Sequence, residues 1–73
     1  MCGILGYIGK EAAYPVIIDG LRRMEYRGYD SAGVCITGAA TYLYKYKGDV
    51  NHLVTEIGTQ PVEGTIGIGH TRW

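Results

Sequence analysis

Apolar and polar residues alternate along the chain with two different periods, which predict strands and helices. Short apolar runs broken by glycine, at Cys2–Gly9, Ala32–Thr37 and Gly64–His70, indicate three strands buried on both faces. Thr41–Lys47 alternates strictly, with tyrosines on one side and leucine and lysines on the other. This last pattern is typical of an antiparallel edge strand that lysines protect from further pairing.

Two other segments carry the helical period. Residues 11–26 are predicted to form a helix that begins near Pro15, because proline is tolerated only in the first helical turn. A second helix is predicted between Asp49, a good N-cap, and Gly58, a good terminator. The predicted order is strand, helix, strand, strand, helix, strand. The apolar faces are expected to consist of Ala13, Val16, Ile17, Gly20, Leu21 and Met24 in the first helix and Val50, Leu53, Val54 and Ile57 in the second.

Composition narrows the class of protein. Seven basic and seven acidic residues give a net charge of zero, so there is no electrostatic argument for binding nucleic acid or a membrane surface. No apolar run approaches the roughly 18 residues of a membrane span, and the start lacks the pattern of a signal peptide. Cys2 and Cys35 form no CxxC or metal-ligand spacing, so a reducing, cytoplasmic compartment is expected. Cys35 is expected to pack in the core between apolar neighbours.

Candidate chemistry lies at the strand ends, in Cys2, residues 27–31 and residues 70–73. If Met1 is removed, Cys2 carries a thiol and a free α-amine, whose ordinary pKa of about 7.7–8.0 suits it to accept the thiol proton. Most cysteines at position two have no such role, so this feature alone is not decisive. Arg72 can bind a carboxylate through two parallel hydrogen bonds, or it can simply stack on Trp73.

Three segments together carry a family resemblance. MCGILGYIG, LRRMEYRGYDSAG and GHTRW resemble the start of the glutaminase domain of glutamine–fructose-6-phosphate aminotransferases, and the likeness extends from Met1 to Trp73. Tyr29 and the HTRW ending favour the sugar-phosphate enzymes over the amidotransferases that use phosphoribosyl pyrophosphate, which typically have glutamine at the position of Tyr29. The alternatives are another class II amidotransferase, with phosphoribosyl pyrophosphate or aspartate as acceptor, and a fragment without turnover of its own.

The resemblance implies a mechanism. Cys2 would attack the side-chain amide of L-glutamine, and a glutamyl thioester would release ammonia to a separate sugar-isomerase domain that converts fructose 6-phosphate to glucosamine 6-phosphate. Water would then release glutamate. Arg72 would hold the α-carboxylate of glutamine, and Trp73 would belong to the gate of the ammonia channel. The loop would supply the remaining site residues, with Arg27 and Gly28 lining the site and Tyr29 and Asp30 shaping it.

The resemblance also implies an α+β fold, the four-layer α/β/β/α sandwich of the N-terminal-nucleophile hydrolases. Residues 1–73 would be only its first part, the N-terminal portion of a glutaminase domain (glutamine amidotransferase type 2). The oxyanion-hole residues, the second sheet and the sugar-isomerase domain are expected beyond Trp73. No cofactor or metal is expected, nor any nucleic-acid or membrane partner, whereas a homo-oligomeric parent enzyme is. Alone, the chain is expected to leave apolar strand faces and the sheet edge after Ile68 uncovered.

Overall fold

The computed structural model describes residues 2–24 and 30–72 of the 73-residue chain. The predicted order of strands and helices is confirmed, and within the described residues no boundary differs from its predicted position by more than two residues. The elements are β1 (Gly3–Ile8), α1 (Ala13–Met24), β2 (Ser31–Thr37), β3 (Thr41–Lys47), α2 (Val50–Ile57) and β4 (Ile66–Arg72).

The four strands form one antiparallel sheet in the order β1-β4-β2-β3. Strand β4 therefore lies in the centre, hydrogen-bonded on one side to β1 and on the other to β2. The expected open edge after Ile68 is wrong, because both sides of that strand are paired. The edges of the sheet are β1 and β3, and the assignment of Thr41–Lys47 to an edge is confirmed.

Both helices pack on the same face of the sheet, α1 mainly against β1 and β4, and α2 against β2 and β3. The hydrophobic core lies between this face and the helices. Gly20 faces β1, and a Cβ added there would lie 2.7 Å from Leu5 Cδ2, so the glycine lets helix and strand approach closely. The most deeply buried large side chains are Ile17, Leu21, Val34, Ile36, Val50, Leu53 and Ile57.

Helix α2 has both of its predicted caps. The Asp49 carboxylate accepts a hydrogen bond from the backbone N–H of His52 at 2.8 Å, which satisfies one of the free donors of the first turn. Gly58 ends the helix with φ at 56°, in the left-handed region that glycine adopts without strain. Neither helix of the described residues is long and apolar enough to cross a membrane.

The second face of the sheet carries apolar side chains that nothing in the described structure covers. Three of the strands were expected to be buried on both faces, but on this second face only Ser31 and Gly33 of the described strand residues are buried. Cys35 was expected in the core; it is instead half-buried on this second face, in one row with Ile68 and Leu43. We call this surface the uncovered face. Its large apolar residues, with their exposed fractions, are Ile4 (80%), Ile8 (78%), Leu43 (71%), Ile66 (43%) and Ile68 (59%).

Candidate active site

The described members of the three polar clusters, Cys2, residues 30–31 and residues 70–72, meet at one end of the sheet. Strands β1 and β2 both run antiparallel to β4, so the starts of β1 and β2 lie beside the end of β4. Gly3 pairs with Thr71, and Ser31 pairs with Arg72. Continuing the first register by one residue sets Cys2 beside Arg72 on the neighbouring strand.

Alternation along the strands decides which face each side chain takes. Thr71 is 2% exposed and lies on the helix-bearing face, where its hydroxyl oxygen has no hydrogen-bond partner among the described residues. Arg72, the next residue, therefore belongs to the uncovered face and is exposed. Cys2 precedes Gly3, which pairs with Thr71, so it is placed on the same side as Arg72, and its thiol is free and exposed.

Asp30 links two strand ends through its backbone. Its N–H donates to the carbonyl oxygen of Arg72 at 2.7 Å, and its own carbonyl accepts from the N–H of Gly48 at 2.8 Å. The residue therefore connects the end of β4 with the turn that follows β3. The side chain of Asp30 borders the adjacent pocket.

A pocket of about 460 Å³ opens at this end of the uncovered face, lined by Asp30, Ser31, Lys45, Lys47 and Arg72. The register explains this grouping, because Arg72, Ser31 and Lys47 form one row across three strands. Within the described residues the structure shows a single ion pair, between Arg23 and Asp19, so no described carboxylate lies at salt-bridge distance from the three pocket cations. In a chain with zero net charge, this end of the sheet carries a local excess of positive charge that suits an anionic group.

The two lysines of this pocket were not among the predicted site residues. Lys45 and Lys47 were predicted to protect an edge strand, which their exposure and the edge position of β3 support. Their alternation opposite the tyrosines did indicate that both share one face. Only the pairing of β3 with β2, which sets Lys47 opposite Ser31, brings them to the site.

His70 also lies on the uncovered face, one row further from the end of the sheet. The register forms a row of Ile4, His70, Gly33 and Lys45. Partial burial of the imidazole and the nearby Lys45 ammonium both lower the pKa of His70 from its ordinary value. The side chain is therefore a neutral imidazole at neutral pH.

Several predicted site residues lie outside the described part of the chain. These residues are Arg27, Gly28, Tyr29 and Trp73, and their expected roles stay predictions. Among residues 2–24 and 30–72, no three His, Cys, Asp or Glu side chains lie close enough together to hold a metal ion.

No known protein-family model matches the chain. Curated relatives do match, and three of them are named glutamine–fructose-6-phosphate aminotransferase (isomerizing). The proteins from Symbiobacterium thermophilum and Bacteroides thetaiotaomicron are each 55% identical, over 74 and 75 residues. The protein from Methanosarcina mazei is 55% identical over 73 residues. Each alignment covers 100% of this chain and 12% of the relative. The resemblance carried by the three sequence motifs is thereby confirmed: over its whole length, the chain is homologous to the N-terminal part of the glutamine–fructose-6-phosphate aminotransferases.

Proposed function

We propose that residues 1–73 are the N-terminal portion of the glutaminase domain of an enzyme that transfers the amide nitrogen of glutamine to fructose 6-phosphate. The products are glucosamine 6-phosphate and glutamate. The observation that carries the proposal is the placement of Cys2 beside Arg72, at one end and on one face of the sheet. This placement sets a nucleophile next to a group that binds carboxylates, which is what an enzyme acting on a free amino acid requires.

Cys2 supplies the nucleophile in this proposal. With Met1 removed, the α-amine of Cys2 accepts the thiol proton, and the sulfur attacks the side-chain amide carbon of glutamine. The tetrahedral intermediate expels ammonia, which takes up that proton, and leaves a glutamyl thioester on Cys2. Water then attacks the thioester, releases glutamate and restores the thiol. Because the amine and the thiol belong to one residue, no separate histidine base is needed.

Arg72 supplies recognition. A guanidinium matches the geometry of a carboxylate and forms two parallel charge-assisted hydrogen bonds with it. Held at the end of β4 beside Cys2, it is placed to bind the α-carboxylate of a glutamine whose side chain points toward the thiol. Lys45 and Lys47 reinforce the positive potential of the same pocket.

The uncovered face agrees with the remainder of the proposed fold. The described strands and helices form two layers of the α/β/β/α sandwich, and the apolar side chains opposite the helices are suited to packing against a second sheet. We place that sheet, the oxyanion-hole donors and the sugar-isomerase domain in sequence beyond Trp73. The complete enzyme is proposed to be a homo-oligomer that acts in the cytoplasm without a cofactor.

The most specific part of the proposal is the identity of the acceptor, the substrate that receives the ammonia. The names of the relatives support fructose 6-phosphate. The acceptor chemistry itself belongs to a domain outside these residues. The alternatives, phosphoribosyl pyrophosphate and aspartate, share the same glutaminase half-reaction and are tested by supplying each acceptor in turn with glutamine.

A covalent-labelling experiment tests the glutaminase proposal. An electrophilic glutamine analogue, with a leaving group in place of the amide nitrogen, is incubated with the full-length enzyme, and the adduct is located by peptide mass spectrometry. We expect one adduct, on a Cys2 that has lost Met1, and protection by free glutamine. Cys35 serves as the internal control, since it is a free thiol on the same face of the sheet. Labelling of Cys35 alone, or labelling that glutamine does not slow, would contradict the proposal.

A further inference from the structure

His70 occupies a notch that Gly33 leaves in the uncovered face. A Cβ built on Gly33 would lie 3.2 Å from Cδ2 of His70 and 2.7 Å from its Nε2, and the second distance is shorter than real Cβ atoms show. The imidazole thus lies across Gly33, and Gly33 is buried on a face of the sheet where most described residues are exposed. Only a residue without a side chain leaves room for the ring in this position.

The notch lies at the boundary between two kinds of surface. On one side, His70 and Arg72 are two residues apart on the same strand and so share a face, with Cα atoms about 7 Å apart. On the other side, the next row across the sheet is apolar and consists of Ile68, Cys35 and Leu43. His70 therefore separates the cationic pocket from the apolar part of the uncovered face.

The charge around His70 is predominantly positive. Lys45 faces it across Gly33, Arg72 follows it on the same strand, and Lys47 and Asp30 line the adjoining pocket. On the β1 side its row neighbour is the uncharged Ile4, with the Cys2 thiol one row further. Protonated, the imidazole would add another cation beside Arg72. Neutral, it fills the space without repelling the guanidinium.

We infer that His70, seated over Gly33, is a positioning residue for Arg72. Its ring fills the space over Gly33 on the β2 side of β4 and so directs Arg72, in the next row, toward Cys2 on the β1 side, where the α-carboxylate of glutamine is to be bound. The inference rests on the proposed glutaminase function and adds a residue pair to it. The pair also assigns one shared role to Gly33, the last residue of the RGYDSAG segment, and to His70, the histidine of the GHTRW segment.

A double-mutant cycle in the full-length enzyme tests the pair. His70→Ala removes the ring, Gly33→Ala inserts a methyl group where the ring lies, and the double variant has both changes. We expect each single variant to raise the KM for glutamine on the order of tenfold with little change in kcat, because binding geometry is disturbed while Cys2 is untouched. The double variant should be no worse than His70→Ala, since the methyl group then has no ring to displace. The inference would be overturned if the fold-changes in KM of the two single variants multiplied in the double variant. It would also be overturned if the KM of the single variants were unchanged.

Stability is measured alongside, because Gly33→Ala also brings a Cβ to 3.1 Å from the Tyr44 carbonyl oxygen. That contact is present with or without the His70 ring and can change the melting temperature in either background, so the KM is the deciding quantity. A lower melting temperature with an unaltered KM would show that His70 only fills space. The KM of the unmutated enzyme should also rise as pH falls through the lowered pKa of His70, and this rise should be absent in His70→Ala. If Cys2→Ala retained turnover, the proposed glutaminase function itself would be wrong. Failure of the proposed function is therefore distinguishable from failure of the inference about His70.

Discussion

The backbone N–H of Asp30 donates a hydrogen bond of 2.7 Å to the carbonyl oxygen of Arg72. The bond joins the residue just before β2 to the last residue of β4, and the Asp30 carbonyl is held in turn by the N–H of Gly48 at 2.8 Å. The main chain of Arg72 is therefore hydrogen-bonded to Asp30, which is itself hydrogen-bonded to the turn after β3. Its guanidinium starts from a fixed backbone beside Cys2, which is the condition for precise recognition of a carboxylate.

We predict that Arg72→Lys raises the KM for glutamine in the full-length enzyme by about 10- to 100-fold. Lysine keeps the charge but cannot form two parallel hydrogen bonds, and a hydrogen bond to a charged group contributes about 1.5–3 kcal/mol. Steady-state kinetics of glutamate release measures the effect. Arg23→Lys is the matched control, because Arg23 is an exposed helix residue that pairs with Asp19. If Arg72→Lys lowers the melting temperature and leaves the KM unaltered, Arg72 is a structural stack on Trp73 instead.

Local patterns were sufficient to predict the strands and helices. Helix α2 begins and ends where its caps predict, because Asp49 satisfies a first-turn donor and Gly58 takes a positive φ. Strand β3 has the predicted bounds because its alternation is strict over all seven residues. Helix α1 begins at Ala13, two residues after the predicted residue 11, and it buries Ile18, which the predicted stripe omitted.

Pairing between distant strands was not predictable from such patterns. Nothing local to residues 64–72 indicates that this strand inserts between β1 and β2, and that insertion removed the expected open edge. The same strand pairing determines which residues lie together at the candidate site. Cys2 and Arg72 were predicted as site residues from their chemistry and motifs, whereas the position of Lys47 and the contact of His70 with Gly33 depend on register across the sheet.

We predict that Cys2→Ala abolishes glutamate release in the full-length enzyme and that Cys35→Ala leaves it largely intact. Both thiols are free, but only Cys2 can combine a thiol with a terminal amine. A glutamate-release assay at matched folded fraction, checked by circular dichroism, measures both variants. Equal losses from the two substitutions would refute the assignment of Cys2 as nucleophile.

Retention of Met1 is also predicted to inactivate the enzyme. The bond to Met1 turns the amine of Cys2 into an amide, whose nitrogen has no basic lone pair, so the thiol loses its proton acceptor. Intact-protein mass spectrometry on preparations with different extents of Met1 removal, with activity measured on the same samples, tests this. Activity should scale with the fraction that begins at Cys2. An active preparation in which every molecule keeps Met1 would contradict the mechanism.

Asp49→Ala is predicted to destabilise α2 by about 1 kcal/mol without changing the KM for glutamine. The substitution removes the carboxylate that accepts the 2.8 Å hydrogen bond from the His52 N–H. Helix α2 packs against β2 and β3, on the face of the sheet opposite to Cys2. Amide hydrogen exchange in α2 measures the loss locally. Asp49→Ser, which restores an N-cap oxygen, is the control and should recover most of the protection. Undiminished protection in Asp49→Ala would show that tertiary packing alone holds this helix end.

The final prediction concerns the 73-residue chain in isolation, which we expect to self-associate or to be marginally folded, and to release no glutamate above background. Its uncovered face presents Ile4, Ile8 and Leu43, each at least 71% exposed, and apolar surface of this extent recruits other chains. Ile68→Lys should weaken the association, because Ile68 lies in the same face at 59% exposure and a charge there costs the monomer little. Asn51→Lys, an equal change of charge at an exposed position of α2, should leave it unaffected. Sedimentation velocity distinguishes these variants, and a glutamate assay is run on the same material. A monomeric, stably folded fragment that hydrolyses glutamine would contradict the prediction, since it would require neither a covered sheet nor the oxyanion donors placed beyond Trp73.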